Sequence, residues 1–189
     1  MSVANSEIEL PDKTRIYSYE RAKEVFRTIQ QPEITVADAI LLLLYAQQDK
    51  PIYGRTSLMK QVFLLIHEVL GETRVEDPKF VAKRFGMYSY FVANVVSNLE
   101  FAGFITRGGR KNSRTESFSI SNKGMKHIIP IFQSLTNELQ DDLKEKRKGW
   151  DQWGCEGILR YVYREYPQYR DTSVLKDRYA PIIWGRGKG

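Results

Sequence analysis

The chain has 189 residues, of which 42% are hydrophobic and 28% are charged, a composition that fits a globular protein with an ordinary core. Its 29 lysines and arginines against 23 acidic residues give a formal net charge of +6, which favours an anionic partner, nucleic acid first. The single cysteine, Cys155, excludes an intramolecular disulfide, which fits a reducing compartment such as the cytoplasm. The longest apolar run, residues 39–46, is far shorter than the roughly 20 residues that span a bilayer. We therefore expect a cytoplasmic protein with no membrane segment.

The first part of the chain predicts a lead-in and three helices. Residues 1–14 are a loose polar lead-in, and residues 19–30 can form a short helix. Thr35 is a good N-cap for a helix over residues 36–48, and apolar residues on nearly every face of that helix predict its burial. Residues 56–70 repeat apolar side chains at helical spacing and predict the next helix.

The middle of the chain carries a helix followed by a β-hairpin. Residues 79–85 predict a short helix or turn, and Ser89 is a good N-cap for a helix that ends at residue 101. Residues 104–106 and 117–120 predict two strands, because their side chains alternate between apolar and polar. Glycines and an asparagine between these strands predict the turn of a hairpin. We refer to residues 104–120 as the wing and to residues 108–113 as the wing tip.

The last part predicts one long helix and a terminal segment rich in aromatic residues. Ser121 caps a helix that extends to about residue 143 and bends near Pro130. The cationic run over residues 144–148 predicts a solvated helix end. A last helix over residues 156–166 lies where tryptophans and tyrosines are interleaved with arginines. We expect these aromatic residues to pack the helix onto the domain, with a protein interface or RNA stacking as alternatives.

This order of elements predicts a mainly α protein with a small β-hairpin: a winged helix-turn-helix with N- and C-terminal helical extensions. The alternative is a helical bundle in which the hairpin only closes a corner. We divide the chain into a lead-in with a short helix (residues 1–34), a winged-helix domain (residues 35–145) and an aromatic-rich extension packed on that domain (residues 146–189). The long helix after the wing can support a homodimer, although its pattern does not require one.

Binding of double-stranded DNA needs a helix that reads bases and cations that contact phosphate. The predicted outer face of the third helix carries Tyr90, Asn94 and Asn98, and asparagine can bind adenine through two hydrogen bonds. Between residues 87 and 106 there is no lysine or arginine, so the cations flank this helix. We therefore expect modestly specific binding, dominated by the phosphate backbone. The candidate phosphate contacts are Lys83, Arg84, Arg107, Arg110, Lys111 and Arg114.

The same helix supports a protein partner as the alternative. Its outer face is uncharged and begins with Tyr90, shortly after Tyr88, and tyrosine is a favoured anchor of protein interfaces. With the aromatic C-terminus, these residues would make the surface of an adaptor or of an antitoxin-like subunit in a larger complex. Binding to structured RNA or to the ribosome is the third interpretation.

Several short motifs resemble one prokaryotic family. Residues 53–64, YGRTSLMKQVFL, resemble the Gly-Arg-Thr and Leu-x-Lys motif of YwgA-like proteins and, more loosely, of Panacea antitoxin domains. Residues 85–89, FGMYS, stand where those families have a Tyr-Gly-Pro-Tyr-Ser type sequence, and residues 159–169 resemble the YwgA-like C-terminus. The resemblance covers roughly residues 35–175. It implies a small prokaryotic winged-helix protein, and the Panacea group implies an antitoxin that acts through protein contact.

The chain departs from the family pattern at two places, and its motif residues also have physical roles of their own. Met87 stands where the family has proline, and the wing is more basic than an antitoxin requires, so both features weaken the antitoxin role.

Gly54 allows a sharp turn before the helix that Thr56 caps. Arg55 is expected to pair with a carboxylate, with a phosphate as the alternative, and Lys60 is expected to be exposed.

No pattern in the sequence indicates catalysis. The two histidines, His67 and His127, lie on predicted helices, and the sole thiol of Cys155 cannot complete a Cys-His zinc cluster within one chain. Neither a GxxxxGK[ST] phosphate loop nor a GxGxxG sequence occurs. We therefore expect no enzymatic activity, no metal site and no cofactor.

Overall fold

A computed structural model gives the fold; it describes the backbone of residues 7–9 and 15–17, and residues 33–83, 86–113 and 115–169. The chain divides into two units, residues 1–33 and residues 34–189.

The first unit contains an antiparallel hairpin of strands β1 (Glu7–Glu9) and β2 (Arg15–Tyr17). Ile8 stands opposite Ile16 and Glu9 opposite Arg15. Strand β1 falls within the expected loose lead-in over residues 1–14, which is therefore wrong for residues 7–9. The helix expected over residues 19–30 lies outside the described residues.

The second unit is mainly helical, with small antiparallel sheets. Its elements in chain order are α1 (Val36–Tyr45), β3 (Ile52–Tyr53), α2 (Arg55–Leu64) continued by a π-helical segment (Leu65–Leu70), β4 (Val81–Lys83), β5 (Gly86–Tyr88), α3 (Tyr90–Phe101), β6 (Ile105–Gly108), β7 (Ser117–Ile120), α4 (Asn122–Ser134), α5 (Asn137–Glu165) and a 3-10 turn (Pro167–Tyr169). This confirms the mainly α class. Across the described ranges, no helix combines the length and the apolar character needed to cross a bilayer.

Helix α1 forms the centre of the core. Thr35 caps it as predicted: its Oγ1 accepts a hydrogen bond from the Asp38 amide at 3.1 Å, and the Asp38 carboxylate accepts one from the Thr35 amide at 3.3 Å. Residues 39–44 are all buried, because α1 packs against α3 on one side and α4 on another. Helix α2 packs in turn against α5.

A three-stranded antiparallel sheet, in the order β3–β7–β6, closes one edge of this core. Ile105 of β6 stands opposite Ile120 of β7, and Ile52 of β3 stands opposite Phe118 of β7. All four side chains are buried. The predicted hairpin is thus confirmed, and β3 is an addition that the sequence did not reveal.

A second hairpin, β4–β5, replaces the short helix or turn expected over residues 79–85. Lys79 has a φ of 54°, which is incompatible with a right-handed helix at that point. Gly86 has a φ of 82° and lies against the Tyr163 ring, where a Cβ atom would come within 2.7 Å of a ring carbon. A glycine is therefore required where β5 meets α5.

The single bent helix expected over residues 121–143 is two helices. Pro130 lies inside α4 without ending it, and the chain leaves the helical conformation at Leu135, where ψ is 151°. Thr136 then caps α5 by accepting a hydrogen bond from the Leu139 amide at 3.3 Å. The break therefore comes from a new N-cap and not from the proline.

Helix α5 continues much further than its sequence pattern indicates. It ends at Glu165 and contains one non-helical residue, Gly154, with a φ of 63°. The cationic run over residues 144–148 is therefore helix interior and not a helix end. The expected domain boundary between residues 145 and 146 falls within this helix, and the helix expected over residues 156–166 is its last part.

Candidate nucleic-acid interface and adjacent cleft

Helix α3 presents one face to the core and one to solvent. Ser89 caps it by accepting a hydrogen bond from the Val92 amide at 2.9 Å and donates its own hydroxyl to the Pro78 carbonyl. Val92, Val96 and Leu99 are buried on the inner face. The residues of the outer face are all exposed and uncharged: Tyr90, Asn94, Ser97, Asn98 and Phe101.

The outer face carries two amides between two aromatic rings. Neither Asn94 nor Asn98 makes a side-chain hydrogen bond within the described part of the chain, so both amides are available to a partner. Tyr90 is 61% exposed at the start of the helix and Phe101 is 94% exposed at its end. The structure thus places the three predicted residues Tyr90, Asn94 and Asn98 on one accessible stripe.

Cations gather at the N-terminal end of this stripe. The Lys83 ammonium lies 5.3 Å from the centre of the Tyr90 ring, and the Lys79 ammonium lies 5.8 Å from that of Phe91. Both lysines are exposed. Arg84, predicted as a phosphate contact, lies outside the described residues.

At the wing tip, Arg110 and Lys111 are exposed, as a phosphate contact requires. Arg114 lies outside the described residues. Arg107 differs from these: its side chain is largely buried and makes an ion pair with Glu100. Its Nε also lies 3.6 Å from an oxygen of Glu116. This pairing argues against Arg107 as a phosphate contact, because two carboxylates already neutralise its charge.

Glu116 is the buried carboxylate that holds the wing to α2. It is 1% exposed, and its Oε1 accepts a hydrogen bond from Arg55 Nη2 at 3.3 Å. Its Oε2 accepts a second hydrogen bond, from the backbone amide of Asn112 in the wing tip, at 3.1 Å. The expected ion pair of Arg55 with a carboxylate is confirmed. Nothing in the sequence indicated this role of Glu116, except that it is the acidic residue nearest to the basic wing tip.

An open cleft of about 1320 Å³ lies beside the start of α3. The N-terminal half of α2, the β4–β5 hairpin, the middle of α5 and the wing tip surround it. Lys83 and Tyr90 line this cleft together with Asn112 of the wing tip. The start of α3 and the wing tip therefore border the same cleft.

Lys60 lies at the bottom of the cleft, and the expectation that it is exposed is wrong. It is 2% exposed, and its ammonium donates a hydrogen bond to the Met87 carbonyl at 2.5 Å. Burial lowers the pKa of Lys60 from 10.5 to about 7, and the charge of Cys155 acts in the opposite direction. Helix α5 covers the side of α2 on which Lys60 lies, a long-range contact that periodicity does not reveal.

A second buried cation underlies the same cleft. Arg147 is fully buried, makes an ion pair with Asp151 and donates from Nη2 to the Lys50 carbonyl at 3.2 Å. Asp151 also accepts a hydrogen bond from Gln61 Nε2 at 3.3 Å. Burial lowers the pKa of Arg147 to about 10. The prediction of a solvated cationic run is therefore wrong at Arg147.

The aromatic residues of the C-terminal segment pack mostly inward, as predicted. Trp150 and Tyr163 are buried, and the rings of Tyr166 and Tyr169 meet Phe63 with centroids 4.7 and 5.3 Å apart. Trp153 is the exception, since nearly half of it is exposed. The predicted aromatic residues beyond residue 169 lie outside the described residues.

The described residues contain no group of three or more histidine, cysteine, aspartate or glutamate side chains arranged to hold a metal ion. A scan against protein-family models and a search of curated proteins find no match to this chain. The resemblance to YwgA-like and Panacea proteins therefore remains a prediction that depends on the short motifs alone.

Proposed function

We propose that this protein is a winged-helix protein that binds double-stranded DNA, mainly through the phosphate backbone, and acts as a transcriptional regulator. The order of elements supports the winged helix. A short strand, β3, lies between the first two helices and pairs with the second strand of the wing, which gives the sheet order β3–β7–β6. The third helix, α3, directly precedes the wing, and the β4–β5 hairpin is an insertion before it.

The proposal depends mainly on one observation, the cleft that the start of α3 shares with the wing tip. The exposed stripe of α3 begins beside Lys83, and the wing tip borders the same cleft through Asn112, which directly follows the exposed Arg110 and Lys111. A helix in the major groove with cations at its flanks can contact phosphates on both sides of the groove. Asn94 and Asn98, one turn apart on the exposed stripe, are the side chains that we expect to contact base edges.

Binding should depend steeply on salt and on the wing tip. We expect Arg110→Ala/Lys111→Ala to weaken duplex binding about tenfold and to reduce the slope of log K against log salt by about 1.8, since each lost phosphate contact removes about 0.9. The measurement is a duplex titration by fluorescence anisotropy at several salt concentrations.

The matched control for this pair is Lys144→Ala/Lys148→Ala, which removes two exposed charges from α5. It should leave the slope close to that of the wild type. Absence of duplex binding by the wild type at low salt, or equal losses in the two double variants, would contradict the proposal.

A protein partner is the second candidate, because Phe101 is 94% exposed at the end of the same stripe. A partner protein that covers this end of the stripe would bury the ring as an interface anchor. This candidate includes an adaptor and the antitoxin role that the family resemblance implies.

Two variants on one helix separate these candidates. Asn94→Ala/Asn98→Ala should reduce discrimination between duplex sequences by about 1–3 kcal/mol if α3 reads bases. Phe101→Ala should leave duplex binding unchanged in that case. Loss of duplex binding in Phe101→Ala alone, with the asparagine variant unaffected, would contradict base reading by Asn94 and Asn98.

A further inference from the structure

The loop that carries the wing tip is cross-linked by its own hydrogen bonds. Residues 109–116 lie beyond the last paired residues of β6 and β7. Within this loop the Arg110 amide donates a hydrogen bond to Thr115 Oγ1 at 3.2 Å, and the Ser113 hydroxyl donates one to the Arg110 carbonyl at 2.6 Å. Both backbone polar groups of the exposed Arg110 are therefore paired inside the loop.

Further contacts close the loop around this residue. Thr115 Oγ1 lies 2.8 Å from Ser113 Oγ, and Thr115 is the donor, because the Ser113 hydroxyl already donates to the Arg110 carbonyl. The Thr115 amide donates to Ser113 Oγ as well, at 3.1 Å. A Cβ atom at Gly109 would come within 1.9 Å of the Thr115 carbonyl oxygen, so the two sides of the loop are in contact. The exposed cations Arg110 and Lys111 thus project from a backbone that the loop itself holds in one conformation.

Glu116 fixes this loop to the helices around it. Its Oε2 accepts the hydrogen bond of the Asn112 backbone amide, and its Oε1 accepts that of Arg55, the first residue of α2. Arg107 connects Glu116 to Glu100, which lies near the end of α3. One buried carboxylate therefore links the wing tip to α2 directly and to α3 through Arg107.

This network carries no net charge, because the two arginines, Arg55 and Arg107, are matched by the two glutamates, Glu100 and Glu116. It therefore adds no net attraction to a phosphate backbone. What it can contribute to binding is position, because a duplex must contact α3 and the wing tip at the same time. A loop that is already ordered in the free protein loses less conformational entropy when it binds.

We propose that Glu116 is a positioning residue for duplex binding, which holds Arg110 and Lys111 of the wing tip in a fixed place relative to α3. Glu116 is 1% exposed, so it acts through these groups and not by contact with the duplex. The inference rests on the proposed function, since it concerns how the same interface binds DNA. Position and charge predict opposite effects: loss of a carboxylate alone makes the protein more attractive to a polyanion, whereas loss of the fixed wing tip weakens binding.

Glu116→Gln tests the sign of this effect. The glutamine has one acceptor oxygen for donors on two sides, so either the Asn112 amide or Arg55 loses its partner. We expect duplex affinity about three- to tenfold below that of the wild type, in a fluorescence anisotropy titration at one salt concentration. The matched control Glu145→Gln removes an exposed carboxylate from α5 and should bind at least as tightly as the wild type. Circular dichroism at the titration temperature checks that both variants are folded.

Thr115→Val tests the loop without changing its charge or the core. Thr115 is exposed, and valine keeps its shape but lacks the hydroxyl that pairs with the Arg110 amide and with Ser113. We expect the duplex affinity to fall several-fold while the slope of log K against log salt stays at the wild-type value, because the same cations still reach phosphate. Thr73→Val, which removes an exposed hydroxyl outside the wing, should leave both quantities unchanged.

The outcomes separate this inference from the proposed function. If the wild type binds no duplex at low salt, the proposed function fails and the positioning role fails with it. If the wild type binds and folded Glu116→Gln binds equally or more tightly, only the positioning role is overturned. If Glu116→Gln does not fold, Thr115→Val decides, and an affinity equal to that of Thr73→Val overturns the inference.

Discussion

Replacing Glu116 by alanine is expected to lower the free energy of unfolding by roughly 3 kcal/mol, the cost of leaving the largely buried Arg107 and the partly buried Arg55 without this carboxylate. Glu116 is almost completely buried, and Arg55, Arg107 and the Asn112 amide converge on its two oxygens. Arg107 keeps its second partner, Glu100, which limits the loss. Urea unfolding followed by circular dichroism measures the change.

Two control variants make this result specific. Glu116→Gln keeps the volume and one acceptor oxygen, so its loss should be about half that of the alanine variant. Glu145→Ala removes an exposed carboxylate from α5 and should change stability by less than about 0.5 kcal/mol. A loss below about 1 kcal/mol in Glu116→Ala would mean that the carboxylate does not hold the wing to α2.

Lys60→Met is expected to stabilise the protein by roughly 2 kcal/mol at pH 6 and to change how its stability depends on pH. The pKa of Lys60 is about 7 in the folded protein and 10.5 ordinarily. Well below pH 7 the lysine is protonated in both states, and the whole cost of burying its charge, on the order of 5 kcal/mol, opposes folding. Loss of the hydrogen bond to the Met87 carbonyl offsets part of the gain in the variant.

The sign of the pH dependence follows from the protons bound. Between pH 7 and about 10 the unfolded wild type binds more protons at residue 60 than the folded one, so the stability of the wild type should rise over this range. The advantage of Lys60→Met should therefore be largest at pH 6 and shrink towards pH 10. The other titratable and charged groups lining the same cleft are Lys50, Tyr53, Arg55, Lys83, Tyr88, Tyr90, Asp151, Cys155 and Glu156.

Urea midpoints at pH 6, 8 and 10 test this prediction, with Lys148→Met as the control at an exposed position of α5. Parallel stability profiles of the wild type and Lys60→Met across this range would contradict a lowered pKa of Lys60.

Local signals in the sequence were sufficient to predict the helices that begin with a capping residue and the strands whose side chains alternate between apolar and polar. Thr35 and Ser89 accept hydrogen bonds from the first turns of α1 and α3, and this chemistry is readable within four residues. Phe118 and Ile120 face the core because strand periodicity is also local. The exposure of Asn94 and Asn98 followed from the same helical spacing.

Long-range contacts decided the features that the sequence did not reveal. Strand β3 has two residues and exists because β7, more than 60 positions later, pairs with it. Lys60 and Arg147 are both charged residues that a local pattern places in solvent. Packing of α2 against α5 buries both of them instead. The cleft depends on the same packing, so no motif could have predicted it.

Lys83 and Tyr90 belong to two surfaces at once, the border of the cleft and the beginning of the α3 stripe. The single ammonium of Lys83 cannot contact a group in the cleft and a group on the α3 stripe at the same time, so ligands of the two surfaces would compete for it. Thermodynamic linkage makes such competition reciprocal: whatever factor one ligand removes from the affinity of the other, the second must remove from the affinity of the first. Occupancy of either surface would therefore lower the affinity of the other through one exposed lysine.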